Sequence, residues 1–345
     1  MIISRTPFRI SFFGGGTDYP AWYLQHGGAT LATTINKYCY ISCRWLPPFF
    51  EHTSRIVWSK IEAVKDHSQI EHPAVREALK FLGIRKGIEL HHDGDLPART
   101  GLGSSSSFAV GLLHALYALR EIHPDTKRLA EEAILLEQEL LKENVGSQDQ
   151  VVTAYGGLNQ INFRQDGSFH LSPIRTDSGR LELFQGHLLL VYTGMSRIAS
   201  EIAAEQIRSV SSKKMELRAL GEMVSEAVRI LEGREDLIEF GRLLNEGWRV
   251  KKSLSPKIST PAIDQMVEAA LRAGAVGGKL LGAGGGGFLL LFVEPEDQPL
   301  VKEALAGLLT VPFRFESLGS RIIFSESDGK AGSPHPRADV ELEVR

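Results

Sequence analysis

Between a strand-like run ending at His92 and an amphipathic helix starting near Ser104 lies the connection Asp95-Leu-Pro-Ala-Arg-Thr-Gly101-Leu-Gly103-Ser-Ser-Ser-Ser107. A chain that turns from strand to helix through two glycines and four serines has few options. Glycine lets main-chain amides come close to a ligand, and the free amides and dipole of a helix start favour an anion. The loop therefore reads as a phosphate cradle. The plainer alternative is a strand-to-helix turn with a serine N-cap, for which one serine would suffice. No Gly-Lys-Ser/Thr closes the loop, so it is not a Walker A sequence. The His-Arg-Asp and Asp-Phe-Gly partners of a protein-kinase glycine loop are also absent.

A second signal is a carboxylate on an apolar face. On a helical wheel of Leu129 to Leu141, one arc collects Leu129, Ala130, Ala133, Ile134, Leu136, Leu140 and Leu141, and Glu137 falls near its centre. A carboxylate facing a core needs a cationic partner, hydrogen-bond donors or a metal. Beside a phosphate loop, Mg²⁺ is the natural candidate, since it is commonly held by one or two protein oxygens together with substrate phosphates. Downstream, Gly146-Ser-Gln-Asp149-Gln150 has Ser147 and Gln150 at capping-box spacing, with Asp149 in the first helical turn. Taken alone, Asp149 fits cap chemistry and catalysis equally.

The remaining composition narrows the partners. A formal net charge of −3, with both signs interspersed, gives no broad basic field for nucleic acid or an anionic membrane surface. The longest apolar run, Phe288 to Val293, is far below the ~20 residues of a membrane span. Cys39 and Cys43 share one face of a strand, where buried thiols in a reducing compartment are expected. With no signal-peptide pattern at its start, the chain is expected to be cytoplasmic and to act on a small molecule.

At 345 residues two domains are expected, over 1–165 and 180–325, with a flexible polar tail over 326–345. Strands are predicted over Ile2 to Phe13, Tyr38 to Trp45, Arg55 to Lys60, Gly87 to His92, Leu158 to Phe163, His187 to Tyr192 and Phe288 to Val293. Helices are predicted over Pro73 to Leu82, Ser104 to Leu119, Thr126 to Lys142 and, in several pieces, between Arg197 and Arg272. A helix and two short strands are expected to close the ordered chain.

Three separated motifs together resemble the GHMP kinase superfamily. They are Thr6-Pro-Phe-Arg9-Ile-Ser-Phe-Phe-Gly14-Gly-Gly-Thr-Asp18-Tyr19, the loop Pro97 to Ser107, and Lys279-Leu-Leu-Gly282-Ala-Gly284-Gly-Gly-Gly287. The resemblance implies an α+β, two-domain fold with an N-terminal domain like ribosomal protein S5 domain 2 and a ferredoxin-like C-terminal domain. It also implies ATP and Mg²⁺ as cofactors. ATP would contact Pro97, Gly101, Leu102, Gly103, Ser104, Ser105, Ser106, Gly284 and Gly285. Ser105 and Glu137 match the metal ligands, Asp149 the general base, and Arg9 an arginine beside the reacting hydroxyl. Gly14, Gly15, Gly16, Asp18, Asp149 and Gly282 would face the acceptor.

Galactokinases of that superfamily carry Glu-His where this chain has Gly15-Gly16, which argues against galactose. The string Gly14-Gly-Gly-Thr-Asp18, with Ile35-Asn-Lys37-Tyr38 and Val145 to Gln150, is closer to D-glycero-D-manno-heptose 7-phosphate kinases, which phosphorylate an anomeric hydroxyl. The expected acceptor is therefore a sugar phosphate, with Lys37 and Arg197 assisting its phosphate. Fucokinase-like kinases of a free sugar are the first alternative, and a non-catalytic sugar and nucleotide sensor the second. Monomer and homodimer both fit.

Overall fold

A computed structural model describes residues 1–195 and 199–326. Its strands are β1 (Ile2–Phe13), β2 (Gly28–Trp45), β3 (Ser54–Val57), β4 (Ile61–Val64), β5 (Ile88–Gly94), β6 (Leu158–Phe163), β7 (Phe169–Pro173), β8 (Leu188–Tyr192), β9 (Ala275–Leu280), β10 (Phe288–Val293), β11 (Leu309–Thr310), β12 (Phe315–Glu316) and β13 (Arg321–Ser325). Its α-helices are α1 (Pro20–His26), α2 (Pro73–Phe81), α3 (Ser104–Leu119), α4 (Thr126–Leu135), α5 (Gln148–Tyr155), α6 (Ser178–Gly186), α7 (Ala199–Ser209), α8 (Lys214–Glu232), α9 (Ile238–Lys252), α10 (Pro261–Arg272) and α11 (Gln298–Ala304).

The larger sheet is organised on β1 and β2, which pair antiparallel. Pro7 has no N–H to give to that ladder, and the register shifts there: Pro7 faces Tyr38 and Phe8 faces Ile35, leaving Asn36 and Lys37 as a bulge in β2. The order β13-β1-β2-β5-β3-β4 is completed by β6 and β12 on β2, and by β7 on β6. Helix α3 is apolar around most of its circumference and lies buried against this sheet. The smaller sheet, β11-β8-β10-β9, is antiparallel, and α9 and α10 pack on β9.

The two sheets share a core. Phe12 from β1 meets Phe184 and Phe240, each with ring centroids 5.5 Å apart, and Phe240 in turn meets Phe292 of β10 at 6.2 Å. Buried Lys279 of β9 crosses the same junction, donating to the carbonyls of Ser11 and Phe12 at 2.9 and 2.7 Å. Its pKa falls well below that of a free lysine, chiefly through burial.

Several expectations meet the structure directly. β1, β6, β10 and α3 have the predicted limits. β2 is longer than the predicted Tyr38 to Trp45, and the predicted strand over Arg55 to Lys60 covers only the end of β3 and the turn that leads into β4. The stretch between the two expected domains, 166–179, contains β7, paired with β6. The closing segment departs from the expected 180–325 unit, because β12 and β13 return to the larger sheet on β2 and β1. Cys39 and Cys43 are buried and unbridged. Among the described residues no helix is long and apolar enough to cross a membrane. Most of the expected tail, 327–345, lies outside the described residues.

Candidate active site

The phosphate-loop candidate leaves β5 and enters α3 through three left-handed positions, Arg99 (φ 63°), Gly101 (φ 82°) and Gly103 (φ 73°). Gly103 is the N-cap of α3, and no side chain caps the helix. All four serines are engaged elsewhere. Ser104 Oγ accepts from the Arg99 N–H at 3.2 Å, Ser105 and Ser106 donate to Glu137, and Ser107 donates to the Pro7 carbonyl at 2.9 Å. The serine-cap reading therefore does not hold, and the first-turn amides of α3 have no side-chain partner. Those amides and the helix dipole are what an anion would meet.

Glu137 lies where α4 gives way to one π-helical turn, Leu136–Leu140. Such turns are uncommon and frequently occur at functional positions. The residue is 1 % exposed. One carboxylate oxygen accepts from Ser105 Oγ at 2.6 Å, and the other accepts from Ser106 Oγ and Gln150 Nε2, each at 2.6 Å. Burial pushes its pKa up to about 7 against these three donors. Among the described residues no three His, Cys, Asp or Glu side chains gather to hold a metal. A cation here would need ATP and water oxygens to complete its shell. The hard donor set, one carboxylate and one hydroxyl, suits Mg²⁺.

Arg9 and Asp149 form a forked ion pair. Arg9 Nε and Nη2 donate to the two Asp149 oxygens at 2.6 Å each, and Nη1 donates to the Gly101 carbonyl at 2.6 Å. β1, α5 and the phosphate loop thus meet at one guanidinium. Gly103 abuts the pair closely, since a Cβ there would lie 3.0 Å from Arg9 Cγ. The expected Ser147–Gln150 capping box does not form: Ser147 makes no cap. Ser147 Oγ instead pairs with Gln138 Nε2 and Tyr23 Oη at 3.0 and 3.2 Å, and Gln150 is committed to Glu137.

Asp18 stands on the other side of the same cleft, buried, with Oδ1 accepting from the Gly16 N–H at 2.9 Å. Burial raises its pKa, opposed by that hydrogen bond. A Cβ at Gly146 would fall 1.8 Å from Asp18 Oδ2, so the glycine before Ser147 lets the first motif and α5 close on each other. Lys251 of α9, which sequence reasoning missed, is buried nearby and donates to the Gly282 carbonyl at 2.7 Å. Burial lowers its pKa to about 8, with Asp18 holding it up. It was detectable, because it shares the buried face of α9 with Phe240, Leu244, Gly247 and Trp248.

Arg9, Gly16, Asp18, Gly101, Gly103, Ser104, Ser105, Ser106, Asp149 and Gly282 line one cleft, where Ser11, Tyr19 and Gln148 join them. Among the described residues, the other expected site residues are not part of that lining. Leu102 is buried, and only its carbonyl bears on the site by accepting from Arg9 N at 3.0 Å. Pro97 is exposed at the loop entry, and its carbonyl accepts from Thr100 Oγ1. Gly14 is required by the turn, with φ +81° and a would-be Cβ 1.9 Å from the Ala29 carbonyl. Gly284 and Gly285 pack on Ile258, the latter through a 2.9 Å hydrogen bond. Lys37 sits in the β2 bulge and is not among the residues that line this cleft. Arg197 lies outside the described residues.

Comparison with known proteins agrees with this architecture. The description "GHMP kinases N terminal domain" matches residues 68–157 and "GHMP kinases C terminal" matches residues 219–309, together more than half of the chain. A D-glycero-alpha-D-manno-heptose 7-phosphate kinase of Campylobacter jejuni is 27% identical over 317 residues, covering 85% of this chain and 90% of that protein. A mevalonate kinase of Pyrococcus horikoshii is 31% identical over 261 residues, covering 72% of each chain. The crystal structure of a D-glycero-D-manno-heptose 1-phosphate kinase from Bacteroides thetaiotaomicron shares the fold, with a TM-score of 0.78 at 23% identity over 95% of this chain and 100% of that one. With two sheets meeting at a glycine-lined cleft and both halves of the family's sequence pattern present, the chain belongs to the GHMP kinases, in their two-domain fold.

Proposed function

We propose that this kinase transfers the γ-phosphoryl group of ATP to the anomeric hydroxyl of a sugar phosphate, D-glycero-D-manno-heptose 7-phosphate being the expected acceptor. One observation carries the reading: the open amides of α3, the Arg9–Asp149 pair and Asp18 face a single cleft. Phosphoryl transfer depends on positioning and charge neutralisation more than on covalent chemistry.

The roles follow from each group's chemistry. The Ser104 to Ser106 amides receive the ATP phosphates. Ser105 and Glu137 hold Mg²⁺, which when bound supplies positive charge to the phosphates. Arg9 stays fixed by Asp149 and Gly101 and faces the transferring group with its charge already in place. Each Asp149 oxygen retains a second acceptor position beyond its hydrogen bond to Arg9, and one of these takes the proton of the attacking hydroxyl. Asp18 accepts from another hydroxyl of the sugar. Beyond Gly16 and Tyr19 lies Lys213, paired with Glu216 at 2.9 Å, and an acceptor phosphate would have to displace that carboxylate to meet it.

The test is ATP turnover with a panel containing the heptose 7-phosphate, the free heptose, L-fucose and D-galactose. The heptose 7-phosphate is expected to be preferred, on the order of tenfold or more for one charge-assisted contact. Preference for L-fucose moves the reading to a fucokinase-like enzyme. No sugar-dependent turnover at all moves it to a sensor.

A further inference from the structure

Among the described residues, Arg9, Asp18, Arg99 and Asp149 are the charged members of the cleft lining. Arg9 donates to both oxygens of Asp149, so much of its positive charge is already compensated. Arg99 differs. It is exposed at the entry to the phosphate loop, beside the serines that open α3. Its backbone N–H donates to Ser104 Oγ at 3.2 Å, while its guanidinium, among the described residues, donates no hydrogen bond and joins no ion pair. Glu143 feels its charge, which opposes the rise in pKa that burial causes there, but the two do not close into an ion pair. Arg99 is thus the cleft-lining cation to which no carboxylate is bound.

The backbone at Arg99 is unfavourable for a side chain. Its φ of 63° is left-handed, a region that residues other than Gly, Asn and Asp seldom adopt. Glu121 and Lys142 share that region, but each follows the end of a helical segment, where a left-handed residue is common. Arg99 precedes a helix instead. Glycine would take this φ without strain, so the shape of the loop does not itself call for arginine. What arginine adds is a planar, permanently charged fork, a group well matched to phosphate oxygens.

Resting on the reading that the ATP phosphates lie on the first-turn amides of α3, we propose that Arg99 is a nucleotide-binding residue whose guanidinium donates to the phosphate oxygens of ATP at the mouth of the cleft. ATP brings several negative charges, and helix amides answer them with only partial positive charge. Arg99 supplies a full charge without first breaking an ion pair, which Arg9 could not do. Its left-handed backbone, tied to Ser104, keeps the side chain at the phosphate end of the cleft.

The experiment measures binding of ATP and of adenosine by calorimetry, in the presence of Mg²⁺, to wild type, Arg99→Asn, Arg99→Gly and Arg99→Lys. Asn and Gly both tolerate the left-handed backbone, so these variants remove the charge without straining the loop. Each is expected to weaken ATP binding roughly tenfold or more, the usual scale for losing a hydrogen bond to a charged group. Adenosine affinity should stay within about twofold, because it has no phosphate for Arg99 to meet. Arg99→Lys should recover part of the loss, keeping the charge but not the fork. Added salt should weaken ATP binding to wild type more than to Arg99→Asn. Unchanged ATP affinity in Arg99→Asn overturns the proposal. So does an equal loss for adenosine, or a loss confined to Arg99→Gly, since either marks a role in loop shape and not in phosphate contact. If wild type binds no ATP, the phosphate-loop reading itself fails and this inference falls with it. If wild type binds ATP and Arg99→Asn binds it equally well, only this inference fails.

Discussion

Asp149 pairs with Arg9, and in the proposed reaction it also offers a lone pair to the acceptor. Asp149→Asn removes proton-accepting capacity and turns an NH₂ group toward a guanidinium. Turnover should fall by roughly 10²- to 10⁴-fold, while ATP affinity measured by calorimetry stays within a few-fold, because the nucleotide amides belong to α3. Turnover near wild type would reduce Asp149 to a positioning partner of Arg9. Glu137 answers to a different measurement. Glu137→Gln should raise the Mg²⁺ concentration needed for half-maximal activity, since an amide is a poorer ligand for a hard cation. Its stability effect has a definite sign. Free of metal, the folded carboxyl titrates at about 7 against an ordinary value of 4.5. Below 4.5 folded and unfolded states both hold the proton. Between 4.5 and 7 the unfolded chain releases a proton that the fold retains, so stability declines as pH rises, and above about 7 the loss is complete. Melting temperatures in EDTA should therefore shift in favour of Glu137→Gln across that interval. A pH-independent difference would contradict the burial account.

At the scale of elements, the loop before α3 depends on glycine for shape. Gly101 holds φ 82° and approaches the Leu281 carbonyl, where a Cβ would lie 2.3 Å away. Gly101→Ala should destabilise the protein by on the order of 1–3 kcal/mol, the scale of a strained backbone position, read as a drop in chemical denaturation midpoint. An unchanged midpoint would mean that the contact with the Gly282 segment is not tight. Such elements differ in how far the sequence discloses them. The existence and limits of α3 were legible, whereas the amphipathic character expected of it was not borne out, since the helix is buried around most of its circumference. Glu137 was legible as a buried carboxylate, whereas the π-turn that carries it was not, because one extra residue per turn leaves little trace in periodicity. The first half of β2 was hidden because β1 and β6 flank it and burial is continuous over Thr30–Ile35, so the alternation that marks a half-exposed strand is missing. The return of β12 and β13 to the first sheet rests on pairings with residues about 300 positions away, which local patterning does not encode.

For the whole molecule, the two sheets meet at Phe12, Phe184, Phe240 and Phe292, at Lys279, and at the contact between Gly101 and Gly282, and the cleft lies at that junction. The first-turn residues of α3 and Asp149 come from the first half of the chain and Gly282 and Ala283 from the second, so both halves build the cleft. Arg9 and Asp149 were legible through the first motif and the α5 segment. Lys251 was detectable as a lysine on the buried face of α9, whereas its place beside the first motif is a tertiary relation that local patterning does not encode. The central claim is that this junction directs the γ-phosphoryl group to an anomeric oxygen. Phosphorus NMR of the product formed from ATP and D-glycero-D-manno-heptose 7-phosphate tests it most directly. The predicted result is a second phosphate signal coupled to the anomeric proton, and a new phosphate on any other carbon would contradict it.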